Sequence, residues 1–203
     1  MYERNLEEKR EIWIRLWREI NICMNKLPKT KVYIDGANLH KGIVELGWEL
    51  DYKRFYVWLK DKYKITSAYL FIGFIPKNKN LYTRLQEAGF ILVYKEVTYD
   101  GGGMVKGNCD AILVLKTTSD FYEKSFENAI IISSDGDYAE LVNFLKEKNV
   151  LRAVISPSNK CSYLLRKQNI RLIYLDSQRE KLEIVQIKEK APGGDKTPAG
   201  SFS

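Results

Sequence analysis

The sequence predicts an α/β fold: a mostly parallel central sheet covered on both faces by helices. Three observations point there. Strands such as ITSAYLFIGFI (65–75) and NAIIISS (128–134) are apolar throughout, as strands buried on both faces are. Helical periodicities alternate with them along the chain. At 203 residues, the chain is long enough for one sizeable core plus extensions.

The elements follow in order. Residues 3–27 form an amphipathic helix, with Leu6, Trp13, Leu16, Trp17, Ile20, Met24 and Leu27 at helical spacing and Pro28 at its end. Its apolar face packs on the domain's own core or serves a second copy or a partner chain. KVYID (31–35) is a short strand ending in an aspartate. Residues 51–62 are helical, with Phe55, Trp58 and Leu59 on one face, and strand 65–75 follows. A helix over 78–88 stops at Gly89, ahead of a strand at 90–97. The glycine-rich stretch 98–107 reads as a flexible loop. Helix 108–119, strand 128–134, helix 137–148, strand 150–156, helix 158–167 and strand 170–175 complete the alternation. The segments are an N-terminal helix (1–30), an α/β domain (31–176) and an extension (177–203). From about residue 191 the Pro, Gly and Ser content predicts disorder.

Composition removes several function classes. No apolar run approaches the roughly 20 residues that span a bilayer, and the charged start MYERNLEEKREIW lacks a signal core. His40 is the sole histidine, so mechanisms needing two histidines or a histidine-rich zinc site are excluded. Cys23, Cys109 and Cys161 are scattered and odd in number, which fits a reducing, cytoplasmic setting rather than a disulfide scaffold. The formal charge is +7, spread evenly rather than held in a basic tail, a weak pointer to nucleic acid.

Open parallel sheets bind ligands at the carboxyl ends of their strands, at the switch point of strand order. Asp35 closes the first strand, and Asp135 and Asp137 follow the fourth. With order 3-2-1-4-5 these strands flank the switch point. Asp110 opens the helix after the glycine loop and faces the same crevice. Singly, each has a plain reading as a helix cap or a D-G turn. Together, converging carboxylates repel one another unless a cation lies among them. An oxygen-only donor set suits a hard ion, Mg²⁺ or Mn²⁺.

IDGANLHKGI (34–43), VKGNCDAILVL (105–115) and IISSDGDYAELVNFLKEKNV (131–150) resemble the three signature blocks of NYN domains, the LabA-like members of the PIN superfamily of metal-dependent ribonucleases. The resemblance spans about residues 31–176. It implies a PIN-like three-layer sandwich and hydrolysis of RNA phosphodiesters to 5′-phosphate and 3′-hydroxyl ends. It places Asp35, Asp110, Asp135 and Asp137 as catalytic residues and ligands of Mg²⁺ or Mn²⁺. Asn38, Lys106, Ser133 and Ser162 become contacts for substrate or the metal shell, and His40 receives no role as a general base. Exposed aromatics such as Tyr99 or Tyr138 become candidates for stacking on single-stranded bases. The chain departs from the pattern at Ser134, where a glycine is usual, and at Ile112 and Lys116, where relatives often carry further acids. Those departures motivate an alternative, a catalytically weak RNA-binding or scaffold module. A haloacid-dehalogenase-type or Toprim-type site lacks its required acids after the first strand.

Overall fold

The computed structural model describes residues 10–18, 28–96, 98–99, 105–106 and 109–185. Residues 10–18 are helical (α1). The strands are β1 (Thr30–Asp35), β2 (Ile65–Phe74), β3 (Ile91–Glu96), β4 (Thr98–Tyr99), β5 (Val105–Lys106), β6 (Asn128–Ile132), β7 (Leu151–Ser156) and β8 (Leu172–Tyr174). The helices are α2 (Gly36–Glu45), α3 (Tyr52–Tyr63), α4 (Lys79–Glu87), α5 (Asp110–Tyr122), α6 (Ala139–Glu147), α7 (Tyr163–Arg166) and α8 (Arg179–Leu182).

Among the described residues, six strands form one sheet in the order β3-β2-β1-β6-β7-β8. Every neighbouring pair in it is parallel. Strand order reverses between β1 and β6, so the anticipated switch point exists. Period-two alternation sorts the side chains of β1. Val32 and Ile34 pack with Leu39, Ile43, Phe55 and Leu59 under α2 and α3. Tyr33 packs with Leu113, Val142 and Leu145 under α5 and α6. Each fully buried Val, Leu or Ile contributes about 1.5–3 kcal/mol by leaving water.

The same alternation puts Lys31, Tyr33 and Asp35 on the α5 face. From Asp110 to Asp120, α5 covers about 15 Å, and from Lys31 to Asp35, β1 covers about 13 Å. The helix runs against the strand, so its first residue reaches the Asp35 end and Asp120 reaches the Lys31 end. Asp120, 1% exposed, accepts hydrogen bonds from Lys31 (3.1 Å), Tyr33 (2.8 Å) and Lys116 (2.7 Å). Lys31 and Lys116 also sit over the Tyr69 ring, 5.5 and 5.2 Å from its centroid.

Several boundaries differ from expectation. A ten-residue helix, α2, follows β1 where the sequence reading had none; Asp35 caps it, and Leu39 and Ile43 bury one face. The stretch 98–107 is not a plain loop, because β4 and β5 pair antiparallel across it. Helix 158–167 shrinks to α7, because Ser156 and Ser158 first form a turn: Ser156 Oγ donates to the Ser158 carbonyl, and Ser158 Oγ accepts from Lys160 N–H. The core-packing expectation for the N-terminal helix is not met over α1. Trp13 and Trp17 are 72% and 68% exposed, and Ile12, Ile14 and Leu16 are exposed too. Residues 1–9 and 19–27, and the extension from 186 onward, lie outside the described residues. No described helix is long and apolar enough to cross a membrane.

Candidate active site at the switch point

Asp35 sits where β1 becomes α2. Its Oδ1 accepts from Asn38 N–H (3.0 Å), which caps the helix. Gly36 allows the turn for a steric reason: a Cβ there would lie 2.5 Å from Ile72 Cγ2 and 2.8 Å from the Phe71 carbonyl oxygen. Across the switch point, Asp135 caps the single 3-10 turn Gly136–Tyr138 by accepting from Asp137 N–H (3.1 Å). Gly136 repeats the logic, since a Cβ would come within 2.5 Å of Ser162 Oγ. Neither D-G glycine has positive φ; both permit close approach.

Two lateral ties hold β1 and β6 in register above the sheet. Asn38 Oδ1 accepts from both the N–H and the hydroxyl of Ser134, each at 2.9 Å. The serine that replaces the usual glycine thus gains a partner. Ser133 Oγ makes a long 3.5 Å donation to Asp35 Oδ2 and accepts from Asp135 N–H (3.1 Å).

Tyr138 is the unforeseen member. It is fully buried, so it cannot stack on a base. Its hydroxyl lies between two carboxylates: it donates to Asp110 Oδ1 and stands 3.2 Å from Asp35 Oδ2. Burial, reinforced by both carboxylates, pushes its phenol far above the ordinary range, so it stays a donor. Burial also raises the Asp35 carboxyl. The charges of Asp110 and Asp135 push it the same way, while the Asn38 N–H and the Tyr138 hydroxyl pull it down.

The structure therefore brings Asp35, Asp110 and Asp135 together and leaves Asp137 exposed at the rim. Ser133, wholly buried, braces Asp35 and Asp135 from behind instead of facing a substrate. Ser162 caps α7 by accepting from Leu164 N–H (3.3 Å) and packs under Gly136. Lys106 lies on β5, opposite Thr98; its side chain, like that of Tyr99, is outside the described part. Lys95, on β3, went unnoticed in the sequence because it sits inside a strand pattern. Its charge opposes the burial and the Asp35 and Asp110 charges that raise the Cys109 thiol, so a cation stands near the acids. Lys116 turns away from the site to Asp120.

The chain matches the NYN domain family over residues 29–176. The chain belongs to that family. With it comes the PIN-like nuclease fold. The NYN chain is also similar to the crystal structure of a protein of unknown function from Vibrio parahaemolyticus, with a TM-score of 0.65 at 20% identity. That similarity covers 77% of this chain and 96% of the other, and it speaks to the fold alone. No curated protein matches the chain.

An oxygen-only set of carboxylates at the switch point fits a hard divalent ion in chemistry. Among the described residues, however, no three such side chains are close enough to enclose an ion unaided. Such an ion would keep several of its waters, as Mg²⁺ commonly does.

Proposed function

We propose that this NYN protein is a divalent-metal-dependent ribonuclease that hydrolyses RNA phosphodiester bonds. The observation that carries this is the convergence of Asp35, Asp110 and Asp135 at the switch point of a PIN-like fold. Asp35, Asp110 and Asp135 would hold Mg²⁺ or Mn²⁺, directly or through its waters. A bound ion of this kind supplies a water of lowered pKa and counter-charge for the phosphoryl group. Asp137, at the rim, accepts a hydrogen bond from the attacking water and orients it. Lys106 contacts a phosphate, while Asn38 and Ser133 hold the carboxylates in place. The new P–O bond forms from water, the bond to O3′ breaks, and the leaving oxygen takes a proton. The buried, unpaired thiols of Cys109 and Cys161 suit a reducing cytoplasm.

Wild-type protein with Mn²⁺ is expected to cleave labelled single-stranded RNA, and EDTA to abolish the cleavage. Asp110→Asn should cost at least the roughly 10–100-fold that loss of an outer-shell partner costs. Gel analysis of the products checks both. Absence of cleavage on several RNAs with either metal overturns the enzyme reading. It would favour the second reading, an RNA-binding or scaffold module, which the diversion of Lys116 to Asp120 supports.

The exposed face of α1 we assign to association with a second copy of the chain, since Ile12, Trp13 and Leu16 together present apolar surface that is costly in water. Trp13→Ser/Trp17→Ser should convert a dimer to a monomer by light scattering. A wild-type monomer at all concentrations rejects the assignment.

A further inference from the structure

β2 extends beyond β1 at the carboxyl edge of the sheet. Asp35 is level with Phe71, so Phe74 stands three residues further along, about 10 Å at strand rise. Beside it, Tyr94 of β3 is level with Ile72. Both rings are open to solvent, Phe74 by 44% and Tyr94 by 40%. They meet edge to face, with centroids 5.5 Å apart. Both rest on Tyr82 of α4, at 6.0 and 5.2 Å. Tyr82 is itself buried, and its hydroxyl accepts from Ile75 N–H at 2.8 Å. The two outer rings thus stand on an anchored base.

The chain that follows Phe74 is basic, although Glu96 of β3 is level with Phe74. Residues 74–86 contain Lys77, Lys79 and Arg84 and no acid, and Lys77 and Lys79 are exposed. Lys95 follows Tyr94 and, by alternation, lies on the α5 side of the sheet, toward Cys109 and Asp110. By the same alternation Phe74 and Tyr94 lie on the α4 side, so a polyanion would cross the carboxyl edge of β2 and β3 to pass from the rings, past Lys95, to the carboxylates.

We infer that Phe74 and Tyr94, flanked by Lys77 and Lys79, form a stacking platform for unpaired bases of single-stranded RNA, a few nucleotides from the carboxylate cluster. The inference rests on the ribonuclease reading for its direction, but it concerns binding alone. Exposed rings beside cations are the combination that holds single strands, because every base has a face to stack while phosphates meet the charge. A duplex keeps its bases stacked inside and offers the rings nothing.

The test is fluorescence anisotropy in EDTA, with a fluorescein-labelled single-stranded RNA and the duplex of the same sequence. Phe74→Ala and Tyr94→Ala should each weaken single-strand binding about five-fold or more. Phe74→Tyr and Tyr94→Phe should bind as wild type. Lys77→Ala/Lys79→Ala should flatten the salt dependence. Phe74→Leu keeps an apolar contact on Tyr82 without a stacking ring, and it serves if Phe74→Ala lowers the melting temperature. Wild-type affinity in Phe74→Leu/Tyr94→Ala, equal affinity for the duplex, or no binding by wild type would overturn the platform. So would a concentration-dependent mass that Phe74→Leu/Tyr94→Ala abolishes while RNA binding stays unchanged, which would mark a chain–chain contact at the β3 edge. Ring-dependent binding without cleavage would leave the platform standing and the ribonuclease reading refuted. Cleavage with an unchanged KM in Phe74→Leu/Tyr94→Ala would do the reverse.

Discussion

Asp135→Asn should abolish metal-dependent RNA cleavage while the fold melts no lower, or slightly higher, in the absence of metal. The side chain is half-buried and caps the Gly136–Tyr138 turn. Asparagine caps about as well as aspartate, so the turn keeps its acceptor. What disappears is one negative charge, and that charge bears on Asp35. Its removal relieves repulsion in the metal-free state and weakens the hold on a cation. Cleavage should fall by more than about a hundred-fold, beyond the range for outer-shell partners. The rise in melting temperature on adding Mn²⁺ should shrink, since that rise follows affinity. Melting curves with and without Mn²⁺, beside the cleavage assay, separate a working carboxylate from a structural one. A lower metal-free midpoint with cleavage intact would reduce Asp135 to a helix cap.

Asp120→Ala should be the most damaging single change to stability, by about 3–5 kcal/mol, because it removes the buried carboxylate with which Lys31 and Lys116 pair. Lys31 loses its ionic partner, and Tyr33 loses the acceptor for a hydroxyl buried with it. Lys116→Ala should cost less, since Lys31 and Tyr33 remain in place. The effect depends on pH with a definite sign. Burial pushes the Asp120 carboxyl up, but the bonds from Lys116, Tyr33 and Lys31 outweigh it and hold the group below its ordinary 3.8. Its contribution is therefore complete above the ordinary value and is lost as pH falls through the lower folded one. The stability gap between wild type and Asp120→Asn should narrow between about pH 5 and pH 2. Urea titrations across that range measure it, and a gap independent of pH would mean that the carboxylate charge contributes nothing.

What the sequence made legible follows from what it encodes locally. The doubly covered sheet was readable because its strands are apolar runs of the right length. The acids at the strand ends were readable because the switch-point rule depends on topology and not on packing. α2 is absent from the sequence reading although a capping role for Asp35 and the Leu39–Ile43 spacing are both there; one such apolar pair in ten residues is too little to set a helical period. Tyr138 was misread as an exposed ring. Its burial arises only when the turn after β6 folds down onto α5, which no local pattern announces. Asp120 went unremarked for a related reason. An aspartate late in a helix reads as surface, and only the strand running beneath it, with Lys31 and Tyr33 on the facing side, makes it an interior anion.

A single phenolic proton stands between Asp35 and Asp110. Such a donor fixes both carboxylates and offsets their negative field. On the metal-dependent reading proposed above, assembly of the pocket would thereby be uncoupled from its loading, unlike sites that fold only around their metal. The polypeptide can reach its final shape during synthesis and wait there. If the protein is the ribonuclease proposed above, supply of the ion, rather than folding, would set when the chemistry begins, and its withdrawal would end the chemistry without costing the cell the protein.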